Sequence, residues 1–130
     1  MRVFKRKPFA RFQRRERIDD AALAKAVRNI GEGLIDADLG GGLVKQRVAR
    51  KGQGKSGGFR TIIAFRASAR AVFLYGFAKS DRDNIDDDEL EDLRKQGRAW
   101  LGLSEDKIEA AIADEELQEV PYGEEDDGQG

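Results

Sequence analysis

Residues 71 to 78 read AVFLYGFA, a run that is apolar on both faces of any strand it forms. Such a strand is central and covered on each side, so the chain needs a sheet with other elements packed over both surfaces. Phe59 to Arg66 (FRTIIAFR) has the β-branched and aromatic content of a second strand, and Ala67 to Arg70 reads as the turn between the two. Leu43 to Arg50 alternates, with Lys45 and Arg47 on one face and Val44 and Val48 on the other, which predicts a third strand with a basic face. Gly40-Gly41-Gly42 breaks structure before it. Arg50 to Gly58 (RKGQGKSGG) is too rich in glycine for a regular element and joins the third strand to the second.

Helical spacing flanks this meander. Val3-Phe4-Lys5 is short and β-prone, and Pro8 suits the first turn of a helix running through Phe9, Phe12 and Arg15. Asp19 or Asp20 caps the next helix, whose stripe is Leu23, Val27, Ile30 and Leu34, ending near Gly31 to Gly33. After the strands, Asp86-Asp87-Asp88 precedes a helix carrying Leu90, Leu93, Gly97 and Trp100/Leu101. Ser104 caps another through Ile108, Ile112 and Leu117, which Pro121 stops. With 130 residues there is room for one domain with a modest core and not for two. The expected fold is α+β: N-terminal helices packed on a small antiparallel sheet, with one or two C-terminal helices. A single domain is expected over residues 1–120, with a helical extension at 86–119 and an acidic disordered tail at 121–130.

The net charge of -1 conceals a sorted distribution. Residues 1 to 82 carry 20 Lys/Arg against 7 Asp/Glu, and residues 83 to 130 carry 4 against 18. Such asymmetry predicts a polyanion-binding body with an acidic appendage; the alternative is two solvated surfaces that attract each other. The absence of cysteine and histidine excludes disulfides, thiol nucleophiles, Cys/His zinc sites and proton transfer through imidazole. The basic opening lacks the apolar core of a signal peptide, and no apolar run is long enough to span a bilayer, so a soluble, intracellular, cytoplasmic protein is expected.

The chemistry concentrates between Lys45 and Lys79. Lys45, Arg47, Arg50, Lys51, Lys55, Arg60, Arg66 and Lys79 fall on consecutive strands and their connecting loop. Neighbouring strands lie about 4.8 Å apart, so cations on one face form a strip suited to nucleic-acid phosphates. Phe59, Tyr75 and Phe77 are candidates for stacking bases beside it, with core packing the better account of Phe59, Phe65, Phe73 and Phe77. Tyr75 is the more open case because its hydroxyl wants a polar partner. The loop around Lys55-Ser56-Gly57 ends like a phosphate-binding P-loop, but the first glycine of that motif falls at Ala49 and a strand follows instead of a helix. The carboxylates between Asp81 and Glu89 lack the pattern of a calcium loop, whose fifth and sixth positions fall here on Ile85 and Asp86. Helix capping explains them better, a magnesium nuclease site is the lesser alternative, and neither metal nor cofactor is expected.

Lys55-Ser56-Gly57-Gly58-Phe59-Arg60-Thr61-Ile62-Ile63, followed by Phe73-Leu74-Tyr75-Gly76-Phe77-Ala78-Lys79 and Asp83-Asn84-Ile85, resembles the RelE/HigB-type toxins of bacterial toxin–antitoxin systems. The resemblance implies a pair of N-terminal helices on a small antiparallel sheet. It also implies a toxin that enters the ribosomal A site and cuts mRNA without metal, with the ribosome, mRNA and a cognate antitoxin as partners. By position, Arg60 matches the family's strand arginine at the scissile phosphate, and Lys51 and Lys55 lie near its upstream basic residues. The family also carries an arginine just after the last strand and a tyrosine on the following segment. Here Ser80 and Asp86 stand near those places, with Arg82 and Tyr75 as candidate substitutes.

The expected reaction is attack of an RNA 2'-hydroxyl on the adjacent phosphorus. Lys51 or Lys55 acts as base, its pKa lowered by like charges, while Arg60 and Lys79 stabilise the transition state. Lys45, Arg47, Arg50 and Arg66 are the expected RNA contacts. Two other readings stand beside this one: a non-nuclease toxin of the ParE type that poisons DNA gyrase, and a nucleic-acid-binding regulator masked by its acidic tail.

Overall fold

The computed structural model describes residues 1–49, 58–78 and 85–123. A short strand, β1 (Arg2–Arg6), runs straight into α1 (Lys7–Glu16), with Pro8 in its first turn where a missing N–H is harmless. Asp19 caps α2 (Asp20–Gly31) by accepting from the Ala22 amide at 3.0 Å. Three strands follow: β2 (Ala37–Gly40), β3 (Leu43–Val48) and β4 (Phe59–Arg66). Then come β5 (Arg70–Ala78), α3 (Asp87–Gly102), α4 (Glu105–Ala113) and β6 (Leu117–Val120).

The six strands form one sheet in the order β2-β3-β4-β5-β1-β6. The meander of β3, β4 and β5 is antiparallel as the sequence predicts, and β1 joins it in parallel beside β5. Helices cover both faces. On one, Val3, Phe9, Phe12, Leu23, Val27 and Phe73 pack beneath α1 and α2. On the other, Phe4, Leu43, Ile62, Leu74, Leu101 and Ile108 pack beneath α3 and α4. The double-sided apolar run is β5, whose residues from Arg70 to Leu74 are all buried.

Three expectations need correction. Leu34 leaves the stripe of α2 and is 60% exposed. The helix closes first, because Gly33 adopts φ 83° while its amide donates to the Ile30 carbonyl and that of Leu34 to Asn29 at 2.8 Å. Leu117 does not continue the last helix. Glu115 turns left-handed at φ 65°, and Leu117 opens β6, antiparallel to β1 with Val120 opposite Val3. β2 is absent from the sequence reading because Ala37-Asp38-Leu39-Gly40 has no β propensity; its pairing with β3 makes it a strand. The tail expected at 121–130 lies, from residue 124 on, outside the described residues. No helix among the described residues is long and apolar enough to cross a membrane.

Charged groups of the two halves meet at the β1 side of the sheet. Arg2 donates to Glu105, Glu109 and Glu119 at 2.8 to 2.9 Å, and Arg70 to Glu105 at 2.7 Å. Part of the sorted charge is therefore used internally, fastening α4 and β6 to β1 and β5. Under α1, Lys5 donates to Gln13 at 2.6 Å and to Asp20 at 2.8 Å, which gives an almost buried ammonium its counter-charge.

Hydrogen bonds from Arg70 and Arg2 hold the Glu105 carboxyl below its ordinary range, and the paired donation of Arg2 Nε and Nη2 does the same for Glu119. Burial alone raises the Asp20 carboxyl, but donation by Lys5 and Gln13 outweighs it and the net direction is down. A carboxylate depressed by folding adds stability above its unfolded pKa and loses it as pH falls through the folded value. The urea midpoint is therefore expected to hold from pH 7 to about pH 5, fall steadily below about pH 4.5, and fall less steeply in Arg2→Ala. An acid limb identical in the two proteins rules out the Arg2 cluster as its source.

Candidate functional site

Strand register assembles the site. Arg47 on β3 lies opposite Arg60 on β4, and Arg60 lies opposite Phe77 on β5. In the next row Lys45 faces Ile62, and Ile62 faces Tyr75. Directly opposed residues share a face of a sheet, so Lys45, Arg47, Arg60, Tyr75 and Phe77 stand together on the α3 side. Helix α3 covers that face farther along, where Leu43, Ala64 and Leu74 pack against Gly97. The basic rows stay half-buried.

Tyr75 reaches this face through a bulge. Ile62 pairs with Tyr75 but Ile63 pairs with Phe73, so Leu74 is one residue too many on β5. Phe73 points into the core beneath α1, Leu74 and Tyr75 both turn to the opposite side, and Gly76 turns back toward Phe9 and Phe12. Strict alternation puts Tyr75 on the wrong face with Phe73; the extra residue sets it beside the arginines, its ring 6.0 Å from that of Phe77. Phe59 faces the other core at 2% exposure and takes no part.

The motif glycine before Phe59 also has a local reason. A Cβ at Gly58 would stand 2.9 Å from the Val48 carbonyl oxygen and 3.2 Å from Arg47 Nε. Bare backbone there lets the strands meet and leaves room for the Arg47 guanidinium. Arg60 Nε lies 3.3 Å from Asp36 Oδ2, an ion pair with side chains 21% and 33% exposed. Lys45 and Arg47 have no ion pair among the described residues. Arg66 is not brought into this group. It stands at the opposite end of β4 and donates to the Leu101 carbonyl at 3.0 Å.

Arg50, Lys51, Lys55, Lys79 and Arg82 lie outside the described residues. Val48, Phe59 and Ala78 are mutually opposed, so β3, β4 and β5 reach the chain segments carrying those residues at the Arg47–Arg60–Phe77 end. Of the carboxylates between Asp81 and Glu89, Asp86 and Glu89 form a reciprocal capping box on α3, and Asp81 and Asp83 lie outside the described residues. The first turns of α3 then border the site, where Tyr75, Glu89, Asp92, Leu93 and Gln96 line a cavity of about 180 Å³.

Sequence reading missed Arg6. It follows Phe4 by two residues on the same face and donates to the Leu74 carbonyl at 3.3 Å, and burial lowers its pKa. Alternation with Phe4 was its only local signal, and that signal has meaning only once β1 is known to lie beside β5. The assembled face combines cations for phosphate oxygens with the part-exposed ring of Tyr75 for a base, whereas Phe77, at 4% exposure, belongs to the core.

Compared with known protein families, residues 1–120 match the RelE toxin of the RelE/RelB toxin–antitoxin system. No curated protein matches the chain.

Proposed function

This chain belongs to the RelE toxin family, and on that premise we propose that it inhibits translation by cleaving mRNA in the ribosomal A site without a metal ion. As a toxin of such a system it has an antitoxin for partner. The observation that supports the nuclease reading is the face shared by the half-buried Lys45, Arg47, Arg60 and Tyr75.

In the proposed reaction the 2'-oxygen attacks the neighbouring phosphorus and the bond from phosphorus to the 5'-oxygen breaks, leaving a 2',3'-cyclic phosphate and a 5'-hydroxyl. Lys51 or Lys55 takes the 2'-hydroxyl proton. Arg60 and Lys79 bind the phosphate oxygens as negative charge gathers there, and fixed donors aimed at that charge lower the barrier. Tyr75 stacks a base or gives a proton to the leaving oxygen, and Arg82 serves as the cation following β5. Arg47 and Lys45 guide the backbone on either side.

Primer extension on mRNA in a reconstituted translation reaction tests this. Cleavage within the A-site codon that disappears when ribosomes are omitted is the expected result. Intact mRNA together with trapped gyrase–DNA breaks overturns the nuclease reading and favours the ParE-like alternative.

A further inference from the structure

We propose that Asp36 is a positioning residue for Arg60, pairing with its guanidinium from the Nε side so that the two Nη groups are presented to an RNA phosphate. The inference rests on the nuclease reading above. Its starting point is the form of the ion pair. Asp36 Oδ2 makes its closest approach to the guanidinium at Nε, 3.3 Å away. A guanidinium carries five N–H donors in a rigid plane, so a carboxylate at the Nε side leaves the outer fork open for a second anion.

Asp36 is itself held. Its backbone N–H donates to Gln46 Oε1 at 3.1 Å, and Gln46 Nε2 donates to the Leu34 carbonyl at 2.8 Å and the Ala26 carbonyl at 3.3 Å. Gln46 is only 4% exposed, and every polar atom of its amide is used. Gln46 and Arg47 are neighbours on β3 and point to opposite faces, so the amide sits under α2 while the arginine faces RNA. The linker from α2 to β2 is thereby fastened beneath the sheet and offers Asp36 to Arg60 beside the basic row. A long flexible side chain is ordered before substrate arrives, which is the condition for efficient transition-state stabilisation.

Asp36→Ala and Asp36→Asn separate this role from simple charge masking, because the two predict opposite signs. Removing a negative charge beside a polyanion site leaves affinity for a short RNA oligonucleotide at low salt unchanged or tighter. Loss of positioning lowers the single-turnover cleavage rate on programmed ribosomes about 10- to 100-fold. In an Arg60→Ala background the Asp36 substitutions have no further effect on rate. Cleavage and affinity that rise together overturn positioning in favour of masking, and an undiminished effect in the Arg60→Ala background shows that Asp36 does not act through Arg60. Wild-type cleavage by Arg60→Ala itself instead removes Arg60 from the nuclease reading, and the proposal with it. One readout needs no activity: by 15N relaxation the Arg60 Nε is more restrained on the ps–ns timescale in the wild-type protein than in Asp36→Asn. Equal mobility in the two proteins overturns the proposal.

Discussion

On the proposed nuclease reading, Arg60→Ala is expected to cleave ribosome-bound mRNA about a hundredfold to a thousandfold more slowly than the wild type while keeping its fold. The loss corresponds to about 2.7 to 4 kcal/mol of barrier, the usual effect of removing one donor aimed at a developing oxyanion. The fold survives because Arg60 lies at the rim of the sheet with a solvent-touched side chain, and its one described partner, Asp36, remains about a third exposed and can take water instead. Arg60→Lys falls between, since an ammonium restores charge but not the planar fork. Primer extension gives the rate and circular dichroism the fold. Near-normal cleavage by a folded Arg60→Ala protein excludes the residue from the chemistry.

Phe73→Ala is expected to lose about 3 to 5 kcal/mol of stability. Phe73 is fully buried in the middle of β5, with its ring 5.0 Å from that of Phe9 on α1. Truncation therefore opens a void between the sheet and its first helix, and β4 and β1 on either side of β5 keep the backbone from collapsing into it. A domain of this size has about 5 to 15 kcal/mol in total, so the variant stands close to unfolding at growth temperature. Urea denaturation followed by tryptophan fluorescence from Trp100 gives the difference. A shift below about 1 kcal/mol means the site repacks and the α1 interface is softer than its packing indicates. Any loss of toxicity here follows the unfolded fraction, whereas in Arg60→Ala it does not.

What could be read from the sequence was what neighbouring residues decide. β4 and β5 are legible from their β-branched and aromatic runs, and the basic face of β3 from the alternation of Lys45 and Arg47 with Val44 and Val48. What escaped depends on partners distant in the chain. The bulge at Leu74 that turns Tyr75 onto the arginine face is a property of pairing with Ile62 and Ile63, invisible in β5 alone. Asp36 sits in a linker with no pattern, and only the folded sheet brings it to Arg60, twenty-four positions on. Arg66 and Arg60 look equivalent on one strand with even spacing, yet six residues carry Arg66 to the far end, where the closing carbonyls of α3 claim it.

The place of β1 between β5 and β6 ties completion of the sheet to parts of the chain made long after its first strand. Ribosomes issue the first strand at once, but its two hydrogen-bonding neighbours are residues 70–73 and 117–120. A nascent chain interrupted before residue 117 has no outer neighbour for β1 and lacks the Glu119 carboxylate that fastens Arg2. Closure of the sheet therefore waits until segments more than a hundred positions apart have met.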